Sequence, residues 1–178
     1  MAKILTLLAS NSTQSINRTL LNIASNKITG HTLTRVEVAD YSMPMYGIET
    51  EEQEGFPDTA KQLRDIFARH DAFMIASPEH NGAMPAVFKN TIDWLSRLAN
   101  AENPIFGKKP VLLLSTSPGP NGGATNLKNL TQLMPWWGAE MQGSYSLGSF
   151  YDNVIDGSLN QTYDQELTDI INTFAGKL

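Results

Sequence analysis

The run Asp71-Ala72-Phe73-Met74-Ile75-Ala76 is almost wholly apolar, and the polar stretch Ser77-Pro78-Glu79-His80-Asn81-Gly82-Ala83-Met84-Pro85 follows it at once. No other feature narrows the fold as much. A strand without polar alternation is expected where helices cover both faces of a parallel sheet. Pro85 suits the first turn of a following helix, where a missing N–H costs nothing. From Ala86 to Leu98, residues Val87, Phe88, Ile92, Leu95 and Leu98 fall mostly on one helical face, and Asp93 and Arg97 are spaced for an i,i+4 pair. These nine residues therefore form a tight connection at the carboxyl end of a strand, the edge where open α/β sheets bind ligands.

The same alternation recurs along the chain. Ile4 to Ala9 is apolar and of strand length, and Ser10 to Arg18 is polar, hydroxyl-rich and free of glycine. Leu20, Leu21, Ile23, Ala24 and Ile28 then recur at helical spacing, with Gly30 expected to close the helix. Leu33 to Val38 alternates apolar with polar residues, as a strand nearer the sheet edge does. Asp40 to Phe56 reads as a loop long enough to be functional, and a helix starting near Pro57-Asp58 carries Leu63, Ile66 and Phe67 towards a core. Asn103 to Lys109 is turn-rich, Val111 to Leu114 is apolar, and Ser115 to Gly123 is again polar and flexible. A helix from Ala124 to Met134, a short last strand from Ala139 to Gln142 and a tail helix opened by a capping box at Thr162 and Gln165 complete the reading.

Five strands alternating with five helices predict a single α/β domain over residues 1–178, a doubly wound parallel sheet of order 2-1-3-4-5 with helices on both faces. That order makes neighbours of the loops after strands one, three and four. A chain of 178 residues is long enough for one well-buried core and short for two domains.

Charge and composition exclude several classes. With 13 Lys and Arg against 18 Asp and Glu, a general nucleic-acid or anionic-membrane surface is not expected. Without cysteine there are no disulfides, thiolate nucleophiles or thiolate metal sites. His31, His70 and His80 lie in separate segments with none of the short spacings of a zinc site, so no metal is expected. The opening Met1-Ala2-Lys3-Ile4 lacks a signal-peptide pattern, and no apolar stretch approaches membrane-spanning length, so the expected location is cytoplasmic.

The three polar loops suit a ligand in different ways. Ser10-Asn11-Ser12-Thr13-Gln14-Ser15-Ile16-Asn17-Arg18 offers hydroxyls and a helix amino terminus, a setting for a phosphate, although Ser15 can equally be a plain helix cap in a solvated turn. Neither a Gly-x-Gly-x-x-Gly fingerprint nor a Walker loop is present. In the central loop, Pro78, Gly82 and Pro85 restrict the path and admit a planar ligand. Glu79 and His80 invite an acid-base role, yet no Ser or Cys stands by as an activated nucleophile, and binding is the stronger reading. Gly119, Gly122 and Gly123 admit a close approach in the third loop. Trp136-Trp137-Gly138 reads as packing or a subunit contact.

Together these residues resemble the NADPH-dependent FMN reductase family, flavodoxin-like enzymes that include quinone, azo-dye and chromate reductases. The likeness covers most of the chain. Its sharpest part is Pro78-Glu79-His80-Asn81-Gly82, then Pro85 and Phe88-Lys89-Asn90-Thr91-Ile92-Asp93-Trp94, similar to the family's Pro-Glu-Tyr-Asn-Gly loop and the helix after it. The resemblance implies FMN as cofactor and NADPH or NADH as co-substrate. It assigns Ser10, Ser12, Ser15, Ile16 and Asn17 to the phosphate side, Pro78, Glu79, His80, Asn81 and Gly82 to the flavin ring, and Ser117 and Gly119 to the ring's far side. Hydride would pass through FMN to a small-molecule electron acceptor such as a quinone, azo dye, chromate or free flavin. The alternative is a flavodoxin-type electron carrier without its own NAD(P)H site. The family commonly forms homodimers or homotetramers, and Met43-Pro44-Met45-Tyr46 is a candidate contact. Three residues depart from the pattern: Ala9 replaces a glycine, Ser12 stands where an arginine is usual, and His80 stands in place of the tyrosine.

Overall fold

The computed structural model describes residues 1–178. In chain order its elements are β1 (Lys3–Leu8), α1 (Ile16–Asn26), β2 (Thr32–Glu37), α2 (Ile48–Glu54), α3 (Asp58–Ala68), β3 (Ala72–Ala76), α4 (Ala86–Leu98) and β4 (Lys109–Thr116). There follow α5 (Ala124–Leu133), β5 (Ala139–Leu147), α6 (Phe150–Asn153), β6 (Val154–Ile155), β7 (Ser158–Leu159) and α7 (Gln161–Ala175). The first five strands form one parallel sheet of order β2-β1-β3-β4-β5, the predicted doubly wound arrangement, and β6 pairs with β7 as a small antiparallel hairpin.

The apolar strands divide their side chains between two cores because successive residues point to opposite faces. Leu5, Leu7, Phe73, Ile75, Val111 and Leu113 meet Leu63 and Phe67 of α3, Phe88, Ile92 and Leu95 of α4, and Leu127 and Leu130 of α5. On the other face, Ile4, Leu8, Met74, Leu112 and Leu114 meet Leu20, Leu21 and Ala24 of α1 and Leu167, Ile171 and Phe174 of α7. Only Val36 is fully buried in β2, as befits an edge strand. No helix is long and apolar enough to cross a membrane.

Several local expectations are corrected. The last strand runs on to Leu147, because Gln142 is an extra residue in β5: Met141 pairs with Val111 and Gly143 with Leu112. This bulge exchanges the faces, so Ala139 and Met141 pack on the first core while Tyr145 and Leu147 pack on the second. The break in period is what made the strand look short. Pro85 stands just before α4 as its N-cap, and α1 ends at Asn26 with Gly30 (φ +77°) in the turn beyond it. The tail helix is capped by Asn160, whose side chain accepts the Tyr163 N–H at 3.2 Å, rather than by Thr162 with Gln165; Gln165 bonds Asp169 instead. Within the long loop lies α2, and Asp93 pairs with Lys89 while Arg97 reaches Glu51 of that helix.

Candidate active site

At the carboxyl edge of the sheet, the loops after β1, β3 and β4 meet, and each is tied to the next by groups that sequence alone leaves unpaired. Asn17, buried at the start of α1, donates its amide to the Thr116 carbonyl at 2.9 Å and accepts the Thr116 N–H at 3.0 Å, joining residues 99 apart in sequence. The Thr116 hydroxyl donates to Leu147 O at 2.7 Å, which extends the tie to β5. From β4, the Ser115 hydroxyl donates to Ser77 O, and the buried Asn126 amide of α5 donates to Ser77 and to Pro78 O. Buried donors satisfied in this way hold a loop in one conformation, with Asn126 Oδ1 alone among the buried side-chain polar atoms left without a partner.

Glu79 is committed to the same frame. Its carboxylate accepts the Asn126 N–H at 2.9 Å in the first turn of α5, where a negative charge also meets the positive end of the helix dipole. A carboxylate spent as a helix cap is poorly suited to moving a proton to a substrate.

The turn after it explains the Asn-Gly pair. His80 and Ala83 exchange both backbone hydrogen bonds, at 2.8 and 3.1 Å, and the two residues between them have positive φ, +53° at Asn81 and +77° at Gly82. Positive φ at both central positions is the type I′ requirement that Asn-Gly meets best. The turn leaves the exposed His80 side chain at the cleft.

The first loop is wound on its own hydroxyls. Ser10 Oγ accepts the Ser12 N–H and Ser12 Oγ accepts the Gln14 N–H, at 3.2 and 3.3 Å. Ser15 is the N-cap of α1, yet its hydroxyl makes no capping bond. The Arg18 N–H is on Ser15 O at 3.0 Å, but the Ile16 and Asn17 N–H groups have no acceptor, so an uncommitted hydroxyl and two unpaired N–H groups stand together at a helix amino terminus.

These loops enclose a cleft of about 260 Å³. Ser10, Ser12, Ser15, Ile16 and Asn17 line it from one side, Pro78, Glu79, His80 and Ser117 from the others. Asn81, Gly82 and Gly119 do not line it. The first two build the turn, and the Gly119 carbonyl is taken by the Ser117 hydroxyl and by the Ser149 N–H, which seats α6. Gln14, Thr116, Pro118 and Tyr151 also line the cleft and were not anticipated. Tyr151 comes from α6, a four-residue helix with no sequence periodicity, and rests edge-on against buried Phe150 at 5.3 Å. No motif near it would have drawn notice.

A larger cavity of about 390 Å³, walled by Trp136, Trp137, Pro104 and Lys108, lies by the residues leading into β4 and β5, at the opposite end of the sheet. The smaller cleft is the better candidate because only there do a helix amino terminus, free hydroxyls and three fixed loops converge.

Comparison with known proteins agrees with this geometry. The sequence profile described as NADPH-dependent FMN reductase matches residues 2–152. A quinone reductase of Escherichia coli K12 is 33% identical over 172 residues, spanning 94% of this chain and 88% of that one. An NAD(P)H-dependent FMN reductase of Pseudomonas aeruginosa is 38% identical over 100 residues, 56% of this chain and 52% of its own length. Among solved structures, the flavoenzyme NAD(P)H:(acceptor) oxidoreductase FerB from Paracoccus denitrificans superposes with a TM-score of 0.79 at 21% identity, over 99% of this chain and 96% of that one, a likeness of fold.

Proposed function

The chain belongs to the NADPH-dependent FMN reductase family, and on that premise we propose that its cleft holds FMN and passes hydride from NAD(P)H to a small-molecule acceptor. It is an oxidoreductase with FMN as cofactor and NAD(P)H as co-substrate, as its family is. The finer reading takes residues 1–178 as one FMN-binding unit whose acceptor is a quinone, an azo compound, chromate or free flavin.

The observation that carries it is the free Ser15 hydroxyl beside the unpaired Ile16 and Asn17 amides of α1, in a cleft shared by three loops. That donor set fits a phosphate monoester. When bound, FMN supplies the two-electron chemistry, so the protein needs no nucleophile or general base of its own. Ser15 and the amides of Ile16 and Asn17 would hold the phosphate. Ser10 and Ser12 shape the loop around it, and the Asn17 side chain locks that loop to β4 rather than touching ligand. Pro78, His80 and Ser117 would wall the ring. Glu79, Asn81, Gly82 and Gly119 would act through the loop shapes they hold.

A homodimer or homotetramer is part of the proposal. Met45 and Ile48, 73% and 55% exposed, sit where the long loop enters α2 and offer apolar surface to a second copy.

The test is reconstitution with FMN followed by anaerobic titration with NADPH and NADH and turnover with benzoquinone. Retained flavin absorbance, bleached directly by a nicotinamide nucleotide and restored by quinone, is the expected result. Flavin that binds but needs a separate reductase would make the protein an electron carrier; failure to retain FMN at all would remove the reading.

A further inference from the structure

Resting on the FMN reading, we propose that Arg18 is a positioning residue for the phosphate-binding loop, supplying that loop's positive charge from behind, where Ser12 supplies none. The guanidinium stands in the first turn of α1 and donates forward to two carbonyls of the loop, Thr13 O at 2.7 Å and Ser12 O at 3.1 Å. In a trans peptide the N–H lies opposite the C=O. Drawing the Ser12 and Thr13 carbonyls towards Arg18 therefore turns the Thr13 and Gln14 amides the other way, and the Gln14 N–H is found on Ser12 Oγ. An anion site needs its donors inward and its carbonyls outward, and this contact enforces that sense along the loop.

Arg18 is itself held in place. It makes a two-point contact with Glu37 at the end of β2, Nε to Oε1 at 3.0 Å and Nη2 to Oε2 at 2.7 Å, and Arg35 donates to the same carboxylate at 2.6 Å. Arg18 and Arg35 face Glu37 and, at longer range, Asp40, so the two arginines offset the two carboxylates behind the loop and loss of Arg18 would leave that cluster negative. Both Arg18 and Glu37 are largely shielded, with 23% and 18% of their side-chain surface exposed, so the charge is screened less than a surface pair would be.

The experiment titrates flavin-free protein with FMN and with riboflavin, which lacks the phosphate, following flavin fluorescence. Wild type, Arg18→Met, Arg18→Lys and Glu37→Gln are compared, and thermal midpoints report folding. Arg18→Met is expected to weaken FMN about tenfold or more while riboflavin changes less than about twofold. Arg18→Lys should restore part of the preference for FMN. Glu37→Gln should tighten FMN severalfold by removing a negative charge near the phosphate, whereas a merely structural brace would be weakened or unchanged by it. Parallel losses of both flavins in Arg18→Met, or a Glu37→Gln variant that binds FMN no better than wild type, overturn the proposal. If Arg18→Met does not fold, the other two variants decide it. A wild type that binds neither flavin overturns the FMN reading, and this one with it; a wild type that binds FMN while the variants keep its selectivity overturns this one alone.

Discussion

An alanine at Gly123 would put its Cβ 2.0 Å from Ser115 Oγ, the hydroxyl that ties β4 to Ser77, and at a φ of +81° as well. An alanine at Gly82 meets only Thr125 Cγ2, at an ordinary 3.8 Å, and suffers from its φ of +77° alone. Left-handed backbone costs a residue with a Cβ about 1–2 kcal/mol, and forced overpacking adds about 1–3 kcal/mol. Gly123→Ala is therefore expected to lower unfolding free energy by about 3 kcal/mol and Gly82→Ala by about 1 kcal/mol, measured by urea denaturation. Adding Ser115→Ala to Gly123→Ala should recover part of the loss, since it removes the nearer clashing atom. Equal losses at the two glycines, or no coupling with Ser115, would refute this account of the turn. Both glycines stand out in sequence as turn formers, but the distinction between a turn and a close approach depends on how the loop folds Gly123 back onto Ser115 at the end of β4.

At the scale of elements, α4 clasps the loop that precedes α2. The Asn90 side chain accepts the Tyr46 N–H at 2.7 Å and donates to Pro44 O at 2.9 Å, and the buried Trp94 indole donates to the same carbonyl at 2.8 Å. Tyr46 stands edge-on to Trp94 with centroids 5.1 Å apart, and its hydroxyl meets Glu51, which Arg97 also grips. The α4 motif thus holds a strap as well as filling the core. Asn90→Ala should leave the Tyr46 N–H without a partner, at a cost of about 1–3 kcal/mol, while Pro44 O keeps the Trp94 indole. Amide exchange at residues 43–47 should accelerate while the strands β1, β3 and β4 stay protected, which mass spectrometry can follow. Uniform acceleration across the sheet would mean that the clasp is part of the global core. The helix itself was legible from its period. Its partners were not, because Glu51 competes for Arg97 from a helix hidden in a polar loop.

Across the whole molecule, acid stability should depend on the ion pair at the edge of the sheet. Hydrogen bonds from Arg18, then from Arg35, and the charges of both hold the Glu37 carboxyl at about 2, below its ordinary 4.5, against the opposing effect of burial. A depressed carboxylate favours the folded state in full above its unfolded pKa, and that contribution fades as pH falls through the window from about 4.5 to about 2. Unfolding free energy measured at pH 6 and at pH 3 should fall more steeply in wild type than in Glu37→Gln. Parallel slopes would show that other carboxylates set the acid limb. Burial acts in the same sense on Tyr145, and there it prevails: the phenol is pushed upward in pKa while it donates to Tyr163 O, so it stays neutral across the physiological range.

By itself the sequence determined the five strands of the main sheet, the helices α1, α3, α4, α5 and α7 that alternate with them, and the edge where the polar loops gather, but not α2, α6 or the β6–β7 hairpin. Those follow from local periods of two and about 3.6 residues, which any segment carries alone. The bulge at Gln142 escaped because it breaks the very period being read. Only the tertiary structure decided how each polar group is used: Asn17 spent on Thr116, Glu79 on α5, Arg18 on Glu37 and the first loop, and Ser15 left uncommitted. Apart from the contact of Arg18 with its own loop, these pairings join residues 19 to 99 positions apart, and they arise only when packing of the apolar faces brings the elements within hydrogen-bond reach.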